Sequence, residues 1–146
     1  MTTGRLRPRR TTSAPSTATR ALTWTPLPAE ASGVANLARL HGVDETKNTV
    51  FARVTVTSDR AQVRKLRFGF SDRVRVYLDG RLLYAGDDGY TSRDYRFLGT
   101  IGTFDELYLP LEAGENELWF ALSEDFGGWG LLAFFEDPSG LQLTHE

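Results

Sequence analysis

Residues 74–86, Val-Arg-Val-Tyr-Leu-Asp-Gly-Arg-Leu-Leu-Tyr-Ala-Gly, constrain the fold more than any other stretch of the chain. Val74, Val76 and Leu78 alternate with Arg73, Arg75 and Tyr77, and a period of two is the mark of a strand with one buried and one solvated face. Asp79-Gly80 follows, two residues that tolerate positive φ, as a two-residue hairpin turn of the primed type requires. Leu82 and Tyr84 resume the alternation, and Gly86 ends it. A hairpin with an arginine-bearing outer face predicts an antiparallel β fold.

The rest of the chain repeats that pattern. In residues 47–57, Val50, Ala52, Val54 and Val56 share one face, and Phe51, Arg53, Thr55 and Thr57 the other. After a turn at Ser58-Asp59-Arg60, residues 62–70 place Leu66, Phe68 and Phe70 inward. Residues 105–111 place Leu107, Leu109 and Leu111 on one face. A turn at Ala113-Gly114-Glu115-Asn116 leads to residues 117–122, with Leu118, Phe120 and Leu122 inward and Trp119 on the opposite side. Residues 131–135 and 141–143 read as two further strands. Residues 33–42 carry apolar residues at both helical and strand spacings and are read as strand, because their neighbours are all β. About nine strands separated by Gly, Pro, Asn and Asp predict a β-sandwich of jelly-roll type.

With 146 residues the chain is long enough to bury a core without cross-links, and it has no cysteine, hence no disulfide and no thiolate metal site. Charge is unevenly distributed. Residues 1–20 hold five arginines and no acid, whereas the remainder holds 12 basic and 19 acidic residues, a net −7 against −2 for the whole. A body of that sign disfavours nucleic acid as a partner, since phosphate binding needs a positive face. No apolar run is long enough to cross a bilayer. Residues 1–20, mostly Thr, Ser, Ala, Pro and Arg, are expected to be a disordered basic tail before a single domain at 21–146, because they offer too little apolar surface to offset ordering. Arg9-Arg10 resembles a twin-arginine signal, but no apolar stretch follows, and the arginines lack an apolar face opposite them. A linker is therefore preferred over an organelle transit peptide, and a cytoplasmic location over export.

Residues 74–86 resemble the strand–turn–strand of galactose-binding-domain-like jelly rolls, which include the sugar-binding domains of family 2 glycoside hydrolases; the usual Asn-Gly turn is Asp79-Gly80 here. Gly89-Tyr90 followed by Phe97 is similar to the loop after that hairpin, and residues 109–120 to a late strand pair. The resemblance covers about residues 66–122. It implies the fold, and a non-catalytic carbohydrate-binding role, without naming a ligand.

Two places could carry such a role. Tyr90, Arg93, Asp94, Tyr95 and Arg96 combine flat rings with planar hydrogen-bonding forks, the mixture a sugar needs; the alternative is a loop pinned by Arg–Asp hydrogen bonds. Trp129, among glycines, could stack on a sugar ring or plug one end of the sandwich. Trp119 is read as part of an outer-face patch or a protein interface, so a structural or protein-interaction module is the second reading, with an uncharacterised hydrolase third. Asp87, Asp88, Asp105, Glu124 and Asp125 offer oxygens for a structural calcium, although no calcium-loop spacing is present. His41 and His145 are the only histidines, with no serine or second histidine to make a triad or a zinc set. No residue is assigned to catalysis.

Overall fold

The computed structural model describes residues 23–40, 42, 48–89, 100–125 and 127–144. Among these residues nine strands form two antiparallel sheets. They are β1 (Ala35–Asn36), β2 (Thr49–Ser58), β3 (Gln62–Ser71), β4 (Arg73–Leu78), β5 (Arg81–Asp87), β6 (Asp105–Leu111), β7 (Gly114–Ser123), β8 (Gly130–Phe135) and β9 (Leu141–Thr144). One sheet has the order β1-β8-β3-β6, the other β5-β4-β7-β2-β9. The pairs β1:β8, β2:β7, β3:β6 and β4:β5 are nested, as when one long hairpin is rolled into two facing sheets. This nesting defines a jelly roll, and β9 is an addition on the flank of β2.

The predicted inward residues fill the space between the sheets. Val56, Val74, Val76, Leu118, Phe120 and Leu122 from one sheet meet Leu66, Phe68, Phe70, Leu109 and Leu111 from the other, and Phe135, to which the sequence assigns no face, joins them. Phe68 is edge-on to Phe120, with centroids 6.3 Å apart, and edge-on to Tyr84 at 5.2 Å, an arrangement that matches ring edges to ring faces.

The central hairpin forms at the predicted turn, with φ of 49° at Asp79 and 77° at Gly80. Its second strand departs from simple alternation. The register slips between Val76 and Tyr77, which oppose Tyr84 and Leu82, and Leu83 is left as the extra residue. This bulge turns Leu82 outward, where it is exposed, and lets Leu83 and Tyr84 both pack against the core. Leu82 and Tyr84 therefore do not share a face.

Residues 33–42 also depart from expectation. Only Ala35 and Asn36 pair as strand, and Leu37–Arg39 form a single 3₁₀ turn. Gly33, at φ 85°, donates its N–H to Glu30 O and reverses the chain just before β1. The turn then drops Leu37 into the core, so the helical spacing of its apolar residues had a physical basis over one turn.

Asn116, expected in a turn, lies within β7 and is fully buried. Its Oδ1 accepts from Glu112 N–H at 2.8 Å, and its Nδ2 donates to Glu112 O, Gly114 O and Val56 O at 3.0–3.1 Å. One side chain thus closes the β6–β7 turn and ties it to β2.

Candidate functional site

Because neighbouring strands are antiparallel, the β1–β2, β3–β4, β5–β6 and β7–β8 connections leave from one end of the sandwich. The β5–β6 connection contains Tyr90, Arg93, Asp94 and Arg96, which lie outside the described residues, as do residues 1–20, His41 and His145. Its described base is well tied. Asp88 N–H donates to Asp72 O at 2.7 Å, Gly89 N–H to Asp87 Oδ1 at 2.9 Å, and Tyr84 Oη to Asp105 Oδ1 at 2.7 Å. Gly102 closes onto β3: a Cβ on Gly69 would collide with Gly102 O, so this approach requires a glycine.

The β7–β8 connection is anchored to the same end. Arg73 donates to both carboxylate oxygens of Asp125, at 2.5 and 2.6 Å, and Asp125 N–H donates to Asp72 Oδ2 at 3.0 Å. The hydrogen bond from Arg73 holds the Asp125 carboxyl below its ordinary range, and the same bond raises the Arg73 guanidinium. Of the acids considered for calcium, the carboxylates of Asp87, Asp105 and Asp125 accept hydrogen bonds in these contacts, and among the described residues no three or more His, Cys, Asp or Glu side chains group as a metal site.

Trp129 is not an open stacking face. It is 1% exposed, among the largest fully buried side chains, and its carbonyl accepts from Leu37 N–H at 2.9 Å. The ring plugs the core, as the second of its two sequence readings held. A large indole among glycines gives the same local pattern on a loop surface or at the end of a core, and only the packing distinguishes the two.

A different surface gathers aromatic residues, of which Phe51 is exposed and Trp24, Tyr77 and Trp119 are half-buried. On the outer face of the five-stranded sheet, the register builds rows across β5, β4, β7 and β2. One row reads Leu82, Tyr77, Trp119, Arg53; the next reads Ala85, Arg75, Ala121, Phe51; a third reads Asp87, Arg73, Ser123, Thr49. Trp24 arrives from the N-terminal segment and packs edge-on against Trp119, centroids 5.1 Å apart, with the Arg53 guanidinium 4.7 Å from its ring centre. Phe51 also meets Trp119 edge-on, at 6.0 Å, and is 48% exposed. Leu27, three residues after Trp24, packs against the core. The segment therefore runs from the outer face, at Trp24, to the interior, at Leu27.

Of the cations on this face, Arg73 pairs with Asp125, and Arg53 is 3.9 Å from Glu117. Arg75 is exposed and makes no ion pair among the described residues. Alternation in the sequence places Phe51, Arg53, Arg75, Tyr77 and Trp119 outward. It does not place them side by side, because that depends on β4 and β2 both flanking β7.

No protein-family model matches the sequence, and no curated protein is similar to it. Among known structures, the chain is similar to a family 35 carbohydrate-binding module from an environmental isolate, with a TM-score of 0.49 and 17% identity over 80% of this chain and 85% of that one.

Proposed function

We propose that this chain is a non-catalytic recognition module whose ligand is a carbohydrate. The observation that carries the reading is the outer face of the five-stranded sheet, where Tyr77, Phe51, Trp119 and Trp24 accompany an arginine without an ion-pair partner among the described residues. Sugars present axial C–H groups to aromatic rings and hydroxyl pairs to planar polar forks, so this combination suits them. The sequence resemblance of residues 66–122 to galactose-binding-like jelly rolls, including the sugar-binding domains of family 2 glycoside hydrolases, supports the same class. Tyr90, Arg93, Asp94 and Arg96, on the β5–β6 connection, are a second proposed contact. Saturable binding of the full chain in a glycan screen, followed by calorimetry on the strongest hits, is the test; a flat response to every glycan class sinks the reading.

One observation favours a protein-interaction module instead. The outer face of the four-stranded sheet exposes Val63, Tyr108 and Phe134 beside the Lys65–Glu106 pair. A stable partner or dimer detected by light scattering, with no glycan binding, would select that reading.

A further inference from the structure

We infer that residues 23–29 are a strap, seated by Trp24 on the outer face and by Leu27 against the core, that peels away as one unit beside Glu30 and uncovers Trp119 and Arg53. The covering role rests on the carbohydrate reading above; the peeling does not.

The segment is held by little. Thr23, Thr25, Pro26, Pro28 and Ala29 are exposed, and only Trp24 and Leu27 are half-buried. Among the described residues it makes no hydrogen bond. The turn that follows is the opposite case. Glu30 N–H donates to Val34 O at 2.9 Å, and Gly33 N–H to Glu30 O at 2.8 Å. Glu30 Oε1 accepts from Asn36 Nδ2 at 3.1 Å and lies 3.2 Å from Arg39 Nη2. A tied turn beside an untied arm sets the hinge between Ala29 and Glu30, since segments with few buried contacts and few hydrogen bonds open first. Pro26 and Pro28 fix their own φ and hold Thr25 and Leu27 extended, so the piece that joins the two anchors is stiff. Trp24 and Leu27 are therefore released together.

Seated, Trp24 is itself an aromatic guest on the outer face. Its ring is edge-on to Trp119, with the Arg53 guanidinium 4.7 Å from its centre. Arg53 and Trp119 are partners in the β2:β7 ladder. Lifting Trp24 leaves them as a flat ring beside a planar fork, the pair of groups that a sugar uses. A ligand that needs both competes with the strap. Its apparent dissociation constant is the intrinsic one divided by the fraction of molecules with the strap open.

The three tryptophans supply the test, because each gives its own indole N–H signal in NMR and Trp129 reports the core. Leu27→Ala, which deletes the inner anchor, should move the Trp24 and Trp119 signals while the Trp129 signal stays in place. If Trp24 and Trp119 keep their positions, the anchors do not act as one and the strap is wrong, whatever binds. The parent chain gives a second measurement. Chymotrypsin should cut after Trp24 at urea concentrations well below global unfolding, and a cut that appears only with global unfolding overturns the peeling. Calorimetry with cello-, xylo-, manno- and galacto-oligosaccharides then tests the cover. Trp24→Ala and Leu27→Ala should each tighten binding roughly fivefold or more, by raising the open fraction. Unchanged or weaker binding overturns the covering role and leaves the carbohydrate reading standing. If no series binds the parent or either variant, the carbohydrate reading and the covering role fall together, and the indole signals and the chymotrypsin cut alone decide whether the strap peels.

Discussion

Arg73 and Asp125 form a fork-to-fork ion pair across 52 residues of sequence, with Nη1 donating to Oδ2 and Nη2 to Oδ1. The pair joins the first residue of β4 to the connection that leads into β8. Both side chains are about half exposed, so its energy is modest and screened by salt. The sign of its pH dependence is nonetheless fixed. The folded chain lowers the Asp125 pKa, so the pair contributes fully above the ordinary carboxylate range and is lost as pH falls through the depressed folded value. The unfolding-temperature gap between the parent and Arg73→Ala should be largest near neutrality, shrink on acidification, and shrink again in high salt. A gap independent of both would show that Arg73 acts through packing.

The hairpin supplies a backbone test. Gly80 has φ of 77° and open space where a Cβ would be, so substitution meets no steric contact and only conformational strain. Gly80→Ala should cost about 1–2 kcal/mol, and Gly80→Val more, because a β-branched side chain resists that region. Asp79→Asn should change stability by less than about 0.5 kcal/mol, since asparagine tolerates positive φ. Its amide oxygen can also still accept from Glu117 N–H, as the carboxylate does at 2.8 Å. Urea unfolding of the three variants measures the order; equal losses at Gly80→Ala and Asp79→Asn would mean the turn does not limit stability.

Much of this architecture is legible in the sequence because a period of two needs no partner to be read. Val74, Val76, Leu78, Leu118, Phe120 and Leu122 declare their faces one strand at a time, and Asp79-Gly80 declares its turn. What escapes is anything set by two strands at once. The bulge at Leu83 inverts Leu82, and no residue there is the glycine or proline that usually marks a bulge. Asn116 looks like one more turn residue, although its amide reaches back to Val56 on another strand. Trp24 reads as an isolated aromatic in a proline-flanked lead-in, and only the fold brings it onto Trp119. The candidate site was legible in its parts, as outward-facing Phe51, Arg75, Tyr77 and Trp119, and illegible as a site.

Asn116 therefore has a consequence for stability that its position in a turn would not suggest. Asn116→Ala removes an acceptor from Glu112 N–H and donors from three carbonyls, one of them Val56 O in a buried setting. Leaving buried polar groups unpaired costs about 1–3 kcal/mol each, so the loss should reach about 2–4 kcal/mol after partial rescue by solvent at the exposed turn. Asn116→Asp should also be destabilising, because it keeps the acceptor and forfeits the donors. Chemical denaturation of both variants checks this, and a loss below about 1 kcal/mol for Asn116→Ala would show that the turn re-pairs without it.

Trp129 and Phe51 give the most direct separation of core from surface. The indole of Trp129 is buried behind the 3₁₀ turn, whereas Phe51 leaves nearly half its surface open. Trp129→Ala should leave a cavity and cost about 3–5 kcal/mol. Trp129→Phe should recover part of that, because a smaller ring still fills much of the space. Phe51→Ala should cost under about 1 kcal/mol, since little of its contact with Trp119 is shielded from water. Urea unfolding read by circular dichroism, which does not depend on the deleted fluorophore, measures all three. Should Trp129→Ala prove no more costly than Phe51→Ala, the indole is not a core plug, and a role for Trp129 at the loop end would have to be reopened.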